Sequence, residues 1–354
     1  MAGLYVHIPF CKKRCLYCDF FSTTQLERRA EYIDAVLKEI AARRDEAGEP
    51  IKTIYIGGGT PSTLSIEAIQ RILEAIDTPN AKEVTMELNP GDADLEYLQA
   101  LRRIGINRLS IGIQTFQDNL LSLIGRRHNA EKAIHAVRWA QEAGFDNISI
   151  DLIYALPTQT MEQWKEDIET ALGLNIQHIS CYGLMYEEGT VLTKRLEAGQ
   201  IEAIDEETEI SMYDYLCERL QQAGFVHYEV SNFALPGREA QHNSAYWDGT
   251  PYIGIGAGAH SYISAVRSWN PSDLNAYMQG DFVRGSETLT EKDRYNERIM
   301  LGLRTNKGIL RSEIRADISA QIAAGLLHQT TDGHIVATRQ GLHILNRIIE
   351  DLMI

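Results

Sequence analysis

Short apolar runs and amphipathic segments alternate along the first half of the chain. In the longer segments, apolar residues recur at i, i+3, i+4 and i+7, which is the spacing of an amphipathic helix. The first such segment carries Ile33, Val36, Leu37 and Ile40 and ends at Gly48. Repeated βα units of this kind predict a parallel sheet. The predicted strands cover residues 4–8, 53–56, 84–88, 109–113, 148–153 and 179–184.

These six units indicate an α/β protein built on an incomplete TIM-like (β/α)6 barrel, whose functional loops follow the carboxyl ends of the strands. Residues 226–230 could add one more strand, and we assign residues 1–230 to the barrel. Residues 231–289 are rich in Gly, Asn, Pro and aromatics and predict a loop-rich extension. Residues 290–354 combine helical patterns with a hairpin turn at Asp332-Gly333, which predicts a small winged-helix-like α+β domain.

Three of the five cysteines lie within eight residues, in the loop after the first predicted strand. The basic residues between them are typical of a solvent-facing loop, although three coincidentally buried thiols are the alternative. A structural zinc site needs four ligands, usually as two pairs, and here Cys181 and Cys217 stand alone. Three thiolates leave one iron of a [4Fe-4S] cluster without a protein ligand. The spacing of Cys11, Cys15 and Cys18 therefore predicts such a cluster.

The charge balance bears on partners and compartment. The chain has 34 Lys and Arg against 49 Asp and Glu, a formal net charge of -15, which argues against a broad nucleic-acid surface. Residues 291–354 carry nine basic and eight acidic residues, so this domain lacks the basic surplus of most DNA-binding modules. The N-terminus has no signal-peptide pattern, and no window has the apolar length of a membrane span. We expect a cytoplasmic protein without membrane insertion.

Polar residues also mark the ends of the other predicted strands. Residues 57–60, Gly-Gly-Gly-Thr, follow the second strand, where absent side chains let backbone N–H groups approach a ligand, although a plain tight turn also uses glycine. Glu87, Gln114 and Asp151 interrupt the third, fourth and fifth apolar runs. Each alone could be a hydrogen-bonded core residue. Together they predict a binding site at the mouth of the barrel.

The Cys-x3-Cys-x2-Cys spacing, with an aromatic residue before the third cysteine, resembles the cluster motif of the radical S-adenosylmethionine (SAM) superfamily. This resemblance implies that SAM chelates the open iron through its amino and carboxylate groups. It further implies that one electron from the cluster cleaves the sulfonium bond and gives a 5'-deoxyadenosyl radical.

Over nearly its whole length the chain resembles the oxygen-independent coproporphyrinogen III oxidase-like branch of that superfamily. The resemblance implies that the glycine turn and Glu87 face the amino end of SAM, while Arg126 counters its carboxylate. It also implies that Gln114 and Asp151 hold the ribose hydroxyls and that Tyr17 packs near the adenine. The matching SAM positions are Tyr5, Tyr17, Gly58, Gly59, Thr60, Glu87, Gln114, Arg126 and Asp151.

Two features separate the members of this branch. The oxidase has an N-terminal extension and a fourth cysteine two residues after the third, whereas this chain begins at the first strand and has Phe20 at that position. His242, Tyr246 and Trp247 match the H-N-x-x-Y-W motif of the heme-chaperone branch, called HemW. Imidazole is a common axial ligand of heme iron, and flat aromatics can cover a porphyrin face. A lone loop histidine is more often a hydrogen-bonded structural residue. The sequence offers four candidates for a second ligand of the heme iron and does not rank them: His7, His128, His227 and His260.

The resemblance thus implies a heme chaperone that binds a [4Fe-4S] cluster, SAM and heme, with no catalytic residue assigned. Its implied partners are heme-acceptor proteins such as respiratory hemoproteins, a membrane-protein client among them, and an electron donor. The first alternative is a radical SAM oxidase that decarboxylates two propionates of coproporphyrinogen III to vinyl groups. The second is a nucleic-acid-linked regulator that uses the C-terminal domain.

Overall fold

A computed structural model describes residues 2–283 and 285–354 of the chain. Met1, where the predicted barrel domain begins, and Arg284, within the predicted extension, lie outside the described residues. The six predicted strands are present, and they pair in parallel and in chain order. They are β1 (Ala2–Ile8), β2 (Ile51–Gly58), β3 (Glu83–Leu88), β4 (Arg108–Gln114), β5 (Ile148–Tyr154) and β6 (His178–Gly183).

Helices follow each of these strands, and their apolar faces cover the sheet with one contiguous core. Several begin where the sequence supplies a side-chain cap: Ser65, Thr160 and Asp205 each accept a hydrogen bond from the backbone of the first turn. The α/β barrel prediction is confirmed. The helices are α1 (Arg29–Arg43), α2 (Ile66–Ile76), α3 (Leu95–Arg103), α4 (Asp118–Leu123), α5 (Ala130–Glu142), α6 (Met161–Gly173), α7 (Val191–Glu197) and α8 (Glu206–Gln222).

The segment predicted as loop-rich contains regular structure. Two short strands, β7 (Val226–Glu229) and β8 (Asn232–Ala234), continue the sheet beyond β6. At the opposite edge a further strand pairs in parallel with β1, with Leu4 opposite Ile253. The prediction of loops here rested on glycine content, because glycine is generally depleted in strands. The segment contains α9 (Gln241–Asp248), β9 (Tyr252–Ile255), β10 (His260–Ile263), β11 (Val266–Trp269), α10 (Leu274–Met278) and β12 (Gly285–Thr288).

Close packing explains why glycine stands inside β9. A Cβ atom at Gly254 would lie 2.1 Å from the carbonyl oxygen of His260, so no other residue fits at this position. The glycine is therefore part of the strand pairing, and composition alone could not separate this use from a turn.

A buried ion pair on α1 binds residues 254–277 of this extension through hydrogen bonds. The guanidinium group of Arg43 donates to Glu39 at 2.6 Å, and the Glu39 side chain has no solvent exposure. Asn270, the Tyr277 hydroxyl at 2.7 Å and the Gly256 amide at 2.8 Å also donate to the Glu39 carboxylate. Glu39 therefore joins α1 to β9 and α10 through bonds that water cannot reach.

The last part of the chain forms a small antiparallel sheet with helices and has its own hydrophobic core. Backbone hydrogen bonds from Val230 to Arg304 and from Asn306 to Tyr228 join this part to β7. Within the described residues, every helix falls short of the length and apolar content that crossing a membrane requires. The elements are α11 (Glu291–Gly302), β13 (Ile309–Leu310), α12 (Ser319–Ala323), β14 (Leu327–Gln329), β15 (His334–Ala337), α13 (Arg339–His343) and α14 (Leu345–Leu352).

Candidate functional site

The cysteine loop lies at the carboxyl end of β1, as the barrel rule requires. Cys11 is buried, and Cys15 and Cys18 are half-buried; all three are free. The Thr60 hydroxyl donates to the Cys11 sulfur, and the Arg126 guanidinium donates to the Cys15 sulfur, each at 3.3 Å. Two donors directed at sulfur stabilise a thiolate, which is the form that binds metal.

The thiols suit a cluster better than a single ion. Burial raises the pKa of the Cys18 thiol to about 11, and a bound metal centre would supply the positive charge that ionises it. A mononuclear structural site would need a fourth protein ligand, and Cys181 and Cys217 lie in the buried core, outside the cysteine loop. In a cluster each thiolate binds a different iron. The loop therefore fits the predicted cluster, whose three ligands would be Cys11, Cys15 and Cys18.

Asp92 anchors the cysteine loop and was not among the residues predicted from the sequence. Its carboxylate accepts from Lys12 of the loop at 2.7 Å and from Arg127 at 2.6 Å, and its side chain is only 2% exposed. The motif Asn89-Pro90-Gly91-Asp92 after β3 was a turn signal that could have pointed to it. Because Asp92 holds Arg127, Arg126 is the arginine that faces the cysteines.

The glycine turn after β2 packs tightly beside the cysteine loop. Gly58 has a φ of 112°, and a Cβ atom there would lie 2.6 Å from the His7 ring. A Cβ atom at Gly59 would lie 3.0 Å from the Cys11 sulfur. The turn thus brings backbone close to the cysteines.

Glu87 lies beneath this turn, with its carboxylate pointing into the barrel. It accepts from the Gly58 amide at 3.0 Å and from the Tyr55 hydroxyl at 2.8 Å. Burial raises the pKa of Glu87 to about 7, partly offset by these bonds. An ammonium group beside Glu87 would favour the ionised form. Burial and the nearby Glu87 charge also raise the pKa of Tyr5, whose hydroxyl is hydrogen-bonded to His7 at 2.9 Å.

On the other side of the mouth, Gln114, Arg126 and Asp151 come together at the ends of β4 and β5. Gln114 is buried with a φ of 77°, and the register shift between Gly112 and Gln114 redirects its side chain. Arg126 donates to the Gly112 carbonyl, while its Nε is buried without a partner. An unsatisfied buried donor of this kind fits an anionic ligand group. Asp151, opposite Gly112 in the sheet, accepts from Ser110 at 3.1 Å.

Tyr17 completes this side, because it lies beside Arg126 and between Cys15 and Cys18 in the loop. Burial raises the pKa of its hydroxyl, and the Arg126 charge opposes that shift. The structure therefore brings the predicted SAM residues into two groups around one mouth, next to the cysteines.

The H-N-x-x-Y-W motif lies elsewhere, on α9. The amides of Gln241 and His242 donate to Glu83 at 2.8 and 2.9 Å, and Glu83 is the first residue of β3. The motif therefore lies at the amino end of the barrel strands, away from the cysteine loop. Trp247 is half-buried, and the Tyr246 ring packs edge-on against Tyr252 at 4.6 Å.

The His242 ring is buried, with a residue exposure of 1%, and both of its nitrogens have partners. Nδ1 is hydrogen-bonded to the Thr53 hydroxyl and Nε2 to the Tyr246 hydroxyl, each at 2.9 Å. Burial, with a contribution from Arg108, lowers the pKa of His242 to about 3, so the ring is neutral. Coordination of iron would require Tyr246 to release Nε2 and the ring to leave its place. These two hydrogen bonds agree with the alternative given above, in which the histidine is a hydrogen-bonded structural residue.

Tyr55 connects the motif with the mouth of the barrel. Its ring stacks on His242 with a centroid distance of 5.3 Å, and its hydroxyl donates to Glu87. The sequence analysis did not single out Tyr55. Strand alternation could have revealed it, since Thr53, Tyr55 and Gly57 share one face of β2 and that face is turned to the inside of the barrel.

Comparison with known proteins identifies the family. Residues 5–171 match the model of the radical SAM superfamily. The chain is 41% identical to the heme chaperone HemW of Lactococcus lactis, across 86% of this chain and 82% of that protein. It is 32% identical to the heme chaperone HemW of Escherichia coli, across 98% and 97% of the two chains.

Among solved structures, the chain is similar to coproporphyrinogen III oxidase (HemN) from Escherichia coli, described as a radical SAM enzyme. The TM-score is 0.85 at 25% identity, with 99% of this chain and 90% of that chain covered. This likeness accounts for the shared barrel, while the curated relatives distinguish the branches. The chain therefore belongs to the HemW family of heme chaperones, within the HemN-like branch of the radical SAM superfamily.

Proposed function

We propose that this protein binds heme and hands it to acceptor proteins, and that it carries a [4Fe-4S] cluster and SAM at the mouth of its barrel. The observation that carries the proposal is the similarity, over most of the chain, to relatives named heme chaperones. Phe20, at the position of the fourth cysteine of the oxidase, supports the same choice.

Cys11, Cys15 and Cys18 would hold the cluster, which when bound supplies the electron for reductive cleavage of SAM. Arg126 would bind the SAM carboxylate with its free Nε, and Glu87 would face the amino group. The glycine turn would face the amino group together with Glu87, while Gln114 and Asp151 would hold the ribose hydroxyls and Tyr17 would pack near the adenine.

The finer parts of the proposal concern partners and compartment. The acceptors would be respiratory hemoproteins, some of them membrane proteins, and an electron donor would reduce the cluster. The five cysteines are free, as is usual in the reducing cytoplasm, where we propose that the protein acts.

Heme transfer can be tested with heme-depleted membranes that contain apo-respiratory hemoproteins. We expect the rate of heme transfer from the loaded protein to rise with acceptor concentration and to exceed its rate of spontaneous heme loss to excess apomyoglobin. Equal rates at every acceptor concentration would mean that the protein only stores heme, and the chaperone proposal would fail.

Asp151→Ala should weaken SAM binding and leave the cluster in place. Asp151 is half-buried near Arg126 and Gln114, and loss of its hydrogen bonds to a bound hydroxyl costs about 1–3 kcal/mol, or roughly 5- to 150-fold in affinity. Calorimetric titration of the reconstituted protein with SAM measures the change. Asp146→Ala removes an exposed carboxylate paired with Arg238 and is the matched control. Unchanged affinity in Asp151→Ala would remove this residue from the SAM site.

The similarity to HemN in fold favours one second candidate, an oxidase that decarboxylates coproporphyrinogen III. It requires the same cluster and SAM residues at the mouth, so only turnover of the porphyrinogen separates the two functions.

A further inference from the structure

We infer that heme lies in the groove between the β7 edge of the barrel and the C-terminal domain, with His328 as an iron ligand. This inference rests on the proposed heme binding and names its place. The groove is lined by none of the predicted SAM residues, so this inference is independent of the SAM site at the mouth of the barrel.

The groove is a cavity of about 710 Å³, within the usual range of roughly 300–1,000 Å³ for ligand sites. One wall comes from the end of α8 and from β7, and the other comes from the turn at residues 303–306 and from residues 337–342. Sites between two packed units are common places for ligands. The backbone bonds between residues 228–230 and 304–306 close its floor.

The lining mixes polar and apolar residues, and most of the surface that it exposes to the cavity is apolar. Phe225, Val226, Leu303 and Leu342 all face the cavity. Apolar side chains on both walls suit a flat macrocycle, because burying its two faces removes apolar surface from water. The His242 ring, by contrast, contacts the polar side chain of Thr53 and the rings of Tyr55 and Tyr246.

Two arginines give the groove the charge that a dianionic porphyrin needs. Arg304 donates to the Met300 carbonyl and to Asn346 Oδ1, each at 2.7 Å, and within the described residues it has no carboxylate partner. Arg339 donates to the Asp214 backbone carbonyl at 3.2 Å, and its contact with the Asp214 carboxylate is long, at 3.7 Å. In a chain with a net charge of -15, cations without close acidic partners are suited to anions such as the heme propionates.

The carboxyl group that lines the groove belongs to Glu229. It is 2% exposed and accepts a hydrogen bond from Asn232, and burial raises its pKa to about 7. Burial also lowers the pKa of Arg304, so an anion beside it would offset part of the desolvation cost. Of the charged groups that line the groove, Arg304 and Arg339 favour an anion, and Glu229 opposes one when it is ionised.

Two histidine side chains line the groove, and they differ in whether their ring nitrogens are free to bind iron. The His227 ring stacks on Phe233 at 4.2 Å, and its Nε2 is hydrogen-bonded to the Val230 carbonyl at 3.3 Å. His328, on β14, is exposed and has no hydrogen bond to the described residues. Because an axial ligand needs a free nitrogen, His328 suits the iron better than His227 or His242.

Titration of the full, reconstituted chain with hemin tests the groove, with the Soret band as readout. His328→Ala should shift the Soret band and weaken binding, while His135→Ala, an exposed histidine on α5, should change neither. Arg304→Gln should weaken binding about tenfold to hundredfold, and Arg304→Lys, which keeps the charge, should recover part of the loss. His242→Ala should keep the Soret position of the unmodified protein.

A matched pair of substitutions on α8 tests the groove without changing the proposed iron ligand. Gln221 lines the groove, so a Gln221→Trp side chain should fill its mouth and block hemin binding. Gln222 is the next residue and is also exposed, but it does not line the groove, so the Gln222→Trp variant should bind hemin normally. Far-ultraviolet circular dichroism and iron content verify folding of each variant. Normal binding in Gln221→Trp and His328→Ala, with the Soret band lost in His242→Ala, would overturn the groove and return the iron to α9. Absence of hemin binding by the unmodified protein would instead overturn the proposed function itself.

Discussion

A Cys15→Ala variant will assemble no stable [4Fe-4S] cluster. With three protein ligands and one open iron, loss of one thiolate leaves two irons without a protein ligand. The Arg126 guanidinium, which donates to the Cys15 sulfur at 3.3 Å, would then face the loop without an anionic partner there. We expect iron and sulfide to fall close to background and the charge-transfer absorption to disappear.

The matched control is Cys181→Ala. Cys181 is buried at 1% exposure on β6, where it belongs to the barrel core, and it should leave the cluster intact. Both variants are reconstituted anaerobically and assayed for iron, sulfide and the reduced-cluster electron paramagnetic resonance signal. A cluster that survives in Cys15→Ala but not in Cys181→Ala would show that the ligands are assigned incorrectly.

Glu39→Ala will destabilise the barrel by about 3–5 kcal/mol, because it removes the fully buried member of an ion pair together with the acceptor of several buried hydrogen bonds. Arg43 would remain buried, with Gly254, Asn270 and Ser261 as partners and the more exposed Glu46 as its remaining carboxylate. The amide of Gly256 would also lose its acceptor. Such a loss is a large part of the roughly 5–15 kcal/mol that stabilises a typical domain.

The measurement is urea unfolding followed by tryptophan fluorescence and circular dichroism, with the midpoint compared between variants. Glu31→Ala is the control, since Glu31 lies on the same helix and forms an exposed pair with Arg28, worth at most about 1 kcal/mol. If Glu39→Ala and Glu31→Ala unfold at the same urea concentration, the Glu39 network contributes little to stability.

The parallel strands could be predicted because each is buried and therefore appears as a continuous apolar run. The SAM residues at the mouth stay a prediction, made because glycine, carboxylate and amide groups interrupt those runs at equivalent positions. The structure adds that Gln114 has a left-handed φ beside a β-bulge, which is typical of a functional position.

Other features depend on partners that are distant in sequence. Glu39 and Arg43 have the spacing of an ordinary solvated i, i+4 pair, and only the residues packed over α1 make them a buried anchor. His242 likewise lies in a motif with the composition of a heme site. Its partners Thr53 and Tyr246 give it a buried place inside the barrel, which no local pattern could reveal.

The central claim, that the protein carries heme and is not a coproporphyrinogen oxidase, is tested most directly by two assays on one reconstituted preparation. One measures hemin binding, and the other follows coproporphyrinogen III with SAM and a reductant under anaerobic conditions. We predict stoichiometric hemin binding without formation of protoporphyrinogen IX. Steady conversion to protoporphyrinogen IX, with no hemin bound, would contradict the account.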